Sequence, residues 1–251
     1  MPGTDGAIGA RAVVTGAARG IGLAIARRLL QEGASVLAVD LDAQGLGAVA
    51  AEGAETLVAD VADPAGRAAI TAAAGDTRYL VNAAGILFVR SIWEVSLEDW
   101  RRLYAVNVEG TFFLCQALGQ QISPGGAIVN LSSSSAKLAT THELAPYASS
   151  KAAVLGITRS FAHALAPRGV RVNAICPGII DTPMQDKVLA QVAPLRGTTA
   201  EDLAESRLRT VPLGRVGTPE ETAALTWFLL SDEAAYMTGQ AVNLTGGQVM
   251  W

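Results

Sequence analysis

Short β-branched runs alternate with longer Ala/Leu-rich segments along almost the whole chain. This alternation is typical of repeated strand–helix units, whose strands form a parallel sheet. The predicted strands cover 11–16, 35–40, 55–60, 78–84, 126–132, 170–176 and 240–244. The predicted helices cover 20–32, 64–73, 97–121, 147–166 and 219–230. No repeat, low-complexity tract or flexible linker divides the 251 residues, so the sequence predicts one α/β domain.

Residues 183–210 interrupt this regular order. The segment is too long for an ordinary connection between a strand and a helix, and its pattern predicts one or two small helices joined by "PLRGTT". Open α/β sheets bind ligands beyond the carboxyl ends of their strands. A segment at this point is therefore placed to act as a lid over a substrate. A surface insertion without a role in binding is the alternative interpretation.

The composition narrows the class of protein. Half of the residues are hydrophobic and 17% are charged, as in a globular protein. A net charge of −4 disfavours nucleic acid or an anionic membrane as a partner, and the apolar runs are too short to span a bilayer. The two cysteines lack the spacing of a disulfide framework or a zinc site. The first ten residues lack the features of a signal peptide, so we expect a cytoplasmic protein without a bound metal.

A glycine-rich turn follows the first predicted strand. Gly16, Gly20 and Gly22 let the backbone approach a pyrophosphate, whose charge is favoured at a helix N-terminus. Asp40 ends the second predicted strand, where a carboxylate can accept hydrogen bonds from the adenosine ribose and repel a 2′-phosphate. Arg19 favours the opposite, since its guanidinium could pair with that phosphate. We give Asp40 more weight because it should occupy the space of the phosphate, and we expect NAD as the cofactor.

Tyr147 and Lys151 stand four residues apart in "APYASSK". Four residues make about one helical turn, so both side chains can face the same ligand. A neighbouring ammonium favours tyrosinate and should lower the pKa of the phenol. A phenol has a pKa of ~10, whereas a proton-transfer catalyst works best near 7. One exposed lysine is too weak for this shift, so a second positive charge, such as a bound nicotinamide ring, would have to help.

Seven motifs follow one another along the chain. They are "TGAARGIG", "NAAG" at 82–85, "YAVNVEGTF" at 104–112, "IVNLSS" at 128–133, "YASSK" at 147–151, "NAICPGIIDTPM" at 173–184 and "TGQAVNLTGG" at 238–247. In order and spacing this set resembles the classical short-chain dehydrogenase/reductase family, over essentially the whole chain. The resemblance implies a three-layer, doubly wound Rossmann fold with a mostly parallel seven-stranded sheet. It also implies hydride transfer between a nicotinamide dinucleotide and a secondary alcohol or ketone.

The resemblance further implies the residues of the site. Those that would hold the adenosine half of the cofactor are Gly16, Arg19, Gly20, Ile21, Gly22, Asp40, Asp60 and Val61. Those that would line the rest of the cofactor pocket are Asn82, Ala84, Gly85, Tyr147, Lys151, Pro177, Gly178, Ile180 and Thr182. The catalytic set would be Asn107, Ser133, Tyr147 and Lys151. In this set Tyr147 passes the hydroxyl proton, Lys151 lowers its pKa and holds the nicotinamide ribose, and Asn107 with a water connects the phenol to solvent.

The chain departs from the family pattern at two places, and its serine is ambiguous. Ala83 replaces the usual second asparagine, and the short segment between Asp60 and Leu80 implies a trimmed third helix. Counting back along the chain from the tyrosine selects Ser134, whereas the register of the strand "IVNL" selects Ser133. We choose Ser133 because loop length varies more than strand register. Its hydroxyl would stabilise charge on the substrate oxygen.

The substrate is expected from the resemblance as well. The motif at 173–184 and "TVPLGRVGTPEE" are similar to those of polyol, sugar and acetoin dehydrogenases, so we expect a small polyol, sugar alcohol or vicinal diol. The alternatives are a 3-oxoacyl or other hydrophobic ketone, and a nucleotide-binding regulator that has lost catalysis. Polar residues that could meet substrate hydroxyls, or simply face water, are His142, Gln185, Asp186, Lys187 and Gln191.

Small residues recur every four positions along the helix of Tyr147. They are Ala148, Ala152, Gly156, Ser160 and Ala164. Such a ridge lets another helix approach closely, either within the subunit or in a neighbouring one. The resemblance implies that this helix and the long one before it form dimers, which then pair. We therefore expect a homotetramer.

Overall fold

A sheet of seven parallel strands forms the centre of the described part of the chain. The computed structural model describes residues 9–138 and 141–251. The strands are β1 (Arg11–Thr15), β2 (Ser35–Asp40), β3 (Glu55–Val58), β4 (Thr77–Asn82), β5 (Ala127–Leu131), β6 (Arg171–Pro177) and β7 (Ala241–Leu244). Their order is β3-β2-β1-β4-β5-β6-β7, and every neighbouring pair is parallel. The sheet is thus wholly parallel, where the sequence predicted a mostly parallel one.

Helices cover both faces of this sheet. They are α1 (Gly20–Gln31), α2 (Ala43–Ala51), α3 (Pro64–Ala74), α4 (Leu97–Tyr104), α5 (Thr111–Gly119), α6 (Ala145–Leu165), α7 (Pro183–Leu195), α8 (Ala200–Leu208) and α9 (Pro219–Leu230). One apolar core buries Leu29 of α1 with Leu229 of α9. The other buries Ile70 of α3 with Leu118 of α5 and Leu165 of α6. These two cores confirm the predicted three-layer, doubly wound Rossmann fold in a single domain.

The predicted helix 97–121 is not continuous. A π-helical segment, Ala105–Gly110, separates α4 from α5. Such a segment carries one extra residue per turn and often marks a functional site. The carbonyl of Asn107, which lies inside it, accepts a hydrogen bond from Thr111 Oγ1 at 3.0 Å. The prediction of one regular helix was therefore wrong at the turn that contains Asn107.

The turns after β1 and β4 meet where the strand order reverses. Thr15 Oγ1 accepts hydrogen bonds from the backbone N–H groups of Ala83 and Ala84, at 3.2 and 3.1 Å. Gly16 has a φ of +69°, and a Cβ there would lie 2.8 Å from Ala84 Cα. Only glycine fits this close approach. The two turns thus form one wall of a crevice at the carboxyl ends of the strands, the place where such sheets bind ligands.

Two small helices, α7 and α8, occupy the long segment 183–210, as the sequence predicted. Leu203 of α8 packs with Val188 and Val192 of α7 and with Leu144, which precedes α6. This cluster holds the segment against the carboxyl-end side of the sheet. We call residues 183–210 the lid segment from here on.

Each helix in residues 9–138 and 141–251 is too short or too polar to cross a lipid bilayer. The absence of a signal peptide was predicted from the first ten residues, of which 1–8 lie outside the described residues.

Candidate active site

A cavity of about 660 Å³ lies between the carboxyl ends of the strands and the lid segment. The residues implied by the family resemblance that line it are Gly16, Arg19, Gly20, Ile21, Gly22, Asp40, Asp60, Val61, Ala84, Gly85, Ser133, Tyr147, Lys151, Pro177, Gly178, Ile180 and Thr182. Asn82 and Asn107 are not among the lining residues. The structure therefore brings together nearly the whole predicted set and leaves two side chains behind the wall.

The first helix presents an unpaired N-terminus to this cavity. Arg19 is the N-cap residue of α1, and its side chain does not cap the helix. The N–H groups of the first turn are thus free of a side-chain acceptor, which suits an anionic ligand. A Cβ on Gly22 would lie 2.0 Å from the carbonyl oxygen of Gly16, so the helix packs directly on the turn before it. This arrangement fits the pyrophosphate of a dinucleotide.

Asp40 is fixed at the far end of the same cavity. Its Oδ2 accepts a hydrogen bond from the N–H of Ala18 at 3.0 Å, and its Oδ1 accepts one from the N–H of Asp42 at 3.0 Å. Arg19 forms an ion pair with Asp42, whose carboxylate also accepts a hydrogen bond from Gly45 N and caps α2. The charge of Arg19 is therefore already partnered, whereas the Asp40 carboxylate faces the cavity.

Ser133 and Tyr147 meet at the wall of the cavity beneath the lid segment. Burial raises the pKa of Tyr147, and a hydrogen bond with the hydroxyl of Ser133 acts in the opposite direction and lowers it. Ser133 Oγ also accepts a hydrogen bond from Ser135 N at 3.1 Å, which fixes its position. Ser134 begins a short 3₁₀ turn, Ser134–Ala136. Of the two candidate serines, the one that contacts the phenol is the one chosen from strand register.

Lys151 differs from the expectation in its environment. The sequence argument took it as exposed and made it the group that lowers the pKa of Tyr147. Its side chain is instead buried, and its Nζ donates a hydrogen bond to the carbonyl of Leu131 at 2.8 Å. Burial lowers the pKa of Lys151 to about 8. Its Nζ lies 5.7 Å from the ring centroid of Tyr147, and the contact that lowers the pKa of Tyr147 comes from Ser133.

Asn107 lies directly behind the cavity wall and is fully buried. Its Nδ2 donates hydrogen bonds to the carbonyl of Ile86 and to Ser150 Oγ, each at 3.0 Å, and its Oδ1 accepts one from Ile86 N at 2.9 Å. Ser150 Oγ in turn donates to the carbonyl of Tyr147 at 2.7 Å. A Cβ on Gly85 would lie 3.3 Å from Lys151 Nζ and 3.5 Å from Asn107 Oδ1. Asn107 therefore joins the turn after β4 to the helix that carries Tyr147 and Lys151.

Asn82, which the resemblance assigned to the cofactor pocket, points into the core. Its Nδ2 donates to Asn130 Oδ1 at 2.9 Å, and Asn130 Nδ2 donates to Thr158 Oγ1 at 3.0 Å. This chain of amides links β4, β5 and α6 beneath the site. The alternation of side chains along a strand places Asn82 on one face and the following turn on the cavity side. Its contacts are structural.

Several lid residues were missed by the sequence argument. Arg196 and Arg207 line the cavity, together with Gln185 and Lys187, which the sequence had named. Arg207 follows Leu203 by one helical turn, so a signal was present in the spacing of α8. Asp186 and Gln191 are exposed and do not line the cavity, and neither does His142, whose side chain is 66% exposed.

The arrangement as a whole is that of an oxidoreductase that binds a nicotinamide dinucleotide on a Rossmann fold. A family model described as enoyl-(acyl carrier protein) reductase matches residues 16–248. Galactitol 2-dehydrogenase (L-tagatose-forming) of Cereibacter sphaeroides is 39% identical over 97% of this chain and 96% of its own. D-threitol dehydrogenase of Mycolicibacterium smegmatis is 40% identical over 94% of this chain and 91% of its own.

A solved structure extends the likeness to the whole fold. An actinorhodin polyketide ketoreductase variant with NADPH superimposes with a TM-score of 0.89 at 32% identity, and the match covers 100% of both chains. With the family model and the relatives above, this likeness places the chain in the short-chain dehydrogenase/reductase family. The protein is an enzyme that acts on CH–OH groups.

Proposed function

We propose that this enzyme is an NAD-dependent dehydrogenase that interconverts a secondary alcohol and a ketone on a small polyol, sugar alcohol or vicinal diol. The observation that carries the reaction is the contact between Ser133 and the hydroxyl of Tyr147 at the cavity wall, with Lys151 held one turn further along α6. All three side chains line the cavity beneath the lid segment.

The proposed preference for NAD depends on Asp40 and Arg19, because the sequence indicated that Asp40 favours NAD and Arg19 favours NADP. Arg19 forms a surface ion pair with Asp42, which competes with a 2′-phosphate for the guanidinium. Asp40, held by two backbone N–H groups, presents a fixed negative charge at that place. Two like charges about 4 Å apart repel by roughly 4 kcal/mol at the effective dielectric of a protein surface. This repulsion favours NAD, although the ketoreductase matched above is named with NADPH.

The residues of this chain handle the proton. When bound, the nicotinamide ring accepts or returns the hydride. Tyr147 removes the hydroxyl proton of the alcohol during oxidation and returns it during reduction, through its Oη. Ser133 hydrogen-bonds the same substrate oxygen and stabilises the charge that develops there. Lys151 holds the ribose and adds a positive charge near the phenol, and Asn107 fixes the backbone behind both.

The proposed substrate class is supported by the relatives and by the polar groups that line the lid side. Both relatives reported above are named as dehydrogenases of sugar alcohols. Polar side chains on the lid side of the cavity are Gln185, Ser206, Thr210 and Gln248. A hydrophobic ketone is the second candidate, because the ketoreductase matches the whole fold and Leu87, Leu144 and Met184 also line the cavity.

The first experiment is to follow absorbance of reduced nicotinamide with a panel of polyols and diols, using NAD and NADP in parallel. Tyr147→Phe should abolish turnover, whereas Tyr236→Phe, at a fully exposed tyrosine, should leave it unchanged. A preference for NADP would contradict the argument from Asp40. Turnover confined to 3-oxoacyl ketones would establish the second candidate. Tight NADH binding without turnover on any alcohol or ketone would indicate a regulator.

We also propose that the enzyme assembles as a homotetramer. The ridge of small residues on α6 lies at the surface, where Ala152, Ser160 and Ala164 are exposed and a Cβ on Gly156 would contact nothing within 4 Å. Phe112 and Phe113 of α5 are also partly exposed. A flat surface of small residues beside aromatic rings favours close packing of helices between subunits. A monomer in light scattering at micromolar concentration would refute this assembly.

We place the activity in the cytoplasm, as the sequence predicted. Cys115 and Cys176 are free thiols within the core, which suits a reducing compartment. Fractionation of cells that express the natural protein tests this location, and recovery of the activity outside the cytoplasm would contradict it.

A further inference from the structure

The charges that line the cavity are unevenly distributed. The carboxylates among the described lining residues are all at the adenosine end, and they are Asp40, Asp42 and Asp60. The lid segment contributes cations to the lining, and they are Lys187, Arg196 and Arg207. No carboxylate of a described lining residue stands on the lid side of the cavity. A ligand on that side therefore meets an excess of positive charge.

Arg207 is the cation whose charge is not compensated by the protein. Its Nη1 is buried and has no hydrogen-bond partner, and no ion pair to Arg207 forms within residues 9–138 and 141–251. Burial lowers the pKa of Arg207, and the nearby charge of Arg196 lowers it further. A guanidinium nevertheless stays charged in proteins. Arg207 as a whole is partly buried, but a guanidinium nitrogen that is shielded from water and has no partner is unfavourable, and an anion in the cavity would supply that partner.

The other two cations of the lid side are accounted for. Arg196 Nη2 pairs with Glu143 Oε2 at 3.2 Å and donates to Thr141 Oγ1 at 2.7 Å. Glu143 is buried, so its carboxylate stays next to Arg196 and compensates the charge of that guanidinium. Lys187 is exposed and its ammonium can be solvated. Lys187 and Arg207 thus both lack a carboxylate partner within the described residues, but only Arg207 has a guanidinium nitrogen that is shielded from water and unpaired.

The position of Arg207 assigns this charge to the substrate and not to the adenosine. Leu203 lies one turn earlier on the same face of α8. It belongs to the apolar cluster with Leu144 and Val188, against which Tyr147 packs. Arg207 therefore approaches the cavity from the side of the phenol, where the substrate must sit for proton transfer.

We propose that Arg207 binds a carboxylate of the substrate, so that the enzyme acts on a polyhydroxylated acid, with its secondary alcohol at Tyr147 and its carboxylate at the lid segment. This inference rests on the proposed function and narrows its substrate class. A guanidinium binds a planar carboxylate through two parallel N–H···O bonds. A carboxylate supplies the negative charge that Arg207 lacks, and a phosphate ester, which guanidinium also binds, is the alternative that the test below distinguishes.

The test compares sugar acids with the matching sugar alcohols. The probes are threonate against threitol and galactonate against galactitol, each assayed with NAD by kcat/KM. We expect the wild-type enzyme to prefer the acid about 10- to 100-fold, the contribution of a charge-assisted hydrogen bond. In Arg207→Met the ratio of acid to alcohol should fall to about one, and Arg207→Lys should retain part of it. Arg209→Met is the matched control, because Arg209 is the exposed C-cap residue of the same helix and pairs with Glu205.

A binding measurement separates this inference from the proposed function. Calorimetric titration of threonate and galactonate into the NADH-bound enzyme needs no turnover. Acid binding that depends on Arg207, with NADH affinity retained in Arg207→Met, supports the inference. If the same enzyme oxidises no alcohol, the proposed function is wrong and the inference about the carboxylate site still stands. Three results overturn the inference. They are equal kcat/KM for acid and alcohol in the wild type, loss of NADH affinity in Arg207→Met, and a preference for glycerol 3-phosphate over both sugar acids.

Discussion

Replacing Asn107 by alanine should cost the enzyme a large share of its stability, although Asn107 does not line the cavity. The substitution removes three side-chain hydrogen bonds, two to the backbone of Ile86 and one to Ser150. Each such bond contributes about 1 kcal/mol net. The N–H and C=O of Ile86 would also lose their partners where they are partly buried, at about 1–3 kcal/mol each when water does not replace them. Because Ile86 lines the cavity, water can replace most of the partners that it loses, so we expect a total loss of about 3–5 kcal/mol, against a typical stability of about 5–15 kcal/mol.

The assay is urea unfolding at one fixed protein concentration, because subunit assembly makes stability depend on concentration. Gln44→Ala on α2 is the control, since Gln44 is exposed and lies outside the proposed subunit interface. This control should change the free energy of unfolding by less than about 0.5 kcal/mol. Asn107→Asp keeps the shape of the side chain and the acceptor for Ile86 N, but it turns both donors into acceptors. It should be no more stable than the alanine variant.

A loss below about 1 kcal/mol in Asn107→Ala would refute this reasoning, because it would show that the three hydrogen bonds add almost nothing beyond water. A second reading of the same variants tests the position of the catalytic helix. If Asn107 holds α6 in place, turnover should fall in the alanine variant even where the protein is folded. Unchanged turnover with lost stability would limit Asn107 to a structural part.

Three further predictions concern Ser133 beside the phenol, Gly22 in the glycine-rich turn and Arg171 at the start of β6. Ser133→Ala should move the acid limb of the pH profile for alcohol oxidation to higher pH, because the hydrogen bond that lowers the pKa of Tyr147 is lost. An unchanged acid limb in stopped-flow assays would show that Ser133 does not lower the pKa of Tyr147. Gly22→Ala places a Cβ 2.0 Å from the carbonyl oxygen of Gly16, so NADH affinity by fluorescence titration should fall at least about 100-fold, and wild-type affinity would contradict the predicted clash. Arg171→Leu removes hydrogen bonds to carbonyls in and just after the last turn of α9. In urea unfolding it should lower the free energy of unfolding by about 3–5 kcal/mol. A loss near zero would show that water replaces the guanidinium.

Sequence patterns predicted the strands and most of the helices, because each of these depends on local spacing, whereas most residues of the cavity wall were predicted from the family resemblance. The π-helical segment at Ala105–Gly110 was not predictable in this way. A π-helical turn is defined by i→i+5 backbone hydrogen bonds, which the spacing of residue types does not specify. The burial of Lys151 was missed for a related reason. Its exposure depends on the carbonyl of Leu131, which is 20 residues away along the chain.

The charges of the lid segment show a second limit of sequence reasoning. Arg196 and Arg207 look alike in "PLRGTTAEDLAESRLR", where each stands among polar residues. Only the fold shows that Arg196 is paired with Glu143, whereas the buried nitrogen of Arg207 has no partner in the described chain. Partners of opposite charge that are 53 residues apart cannot be matched from spacing. The amide chain that begins at Asn82 was missed in the same way.

The lid segment is one uninterrupted stretch of chain, and this has a consequence for how the enzyme can change. The stretch follows Thr182, at the end of the cofactor wall, and closes at Thr210 near Gln248. It brings Arg207 and Lys187 to the cavity without supplying a strand to the sheet. A single recombination event that replaces this stretch would therefore replace the substrate-binding residues of the lid segment together. The residues that transfer the proton and bind the cofactor would be unchanged, so the substrate specificity of this enzyme can change without a change in its chemistry.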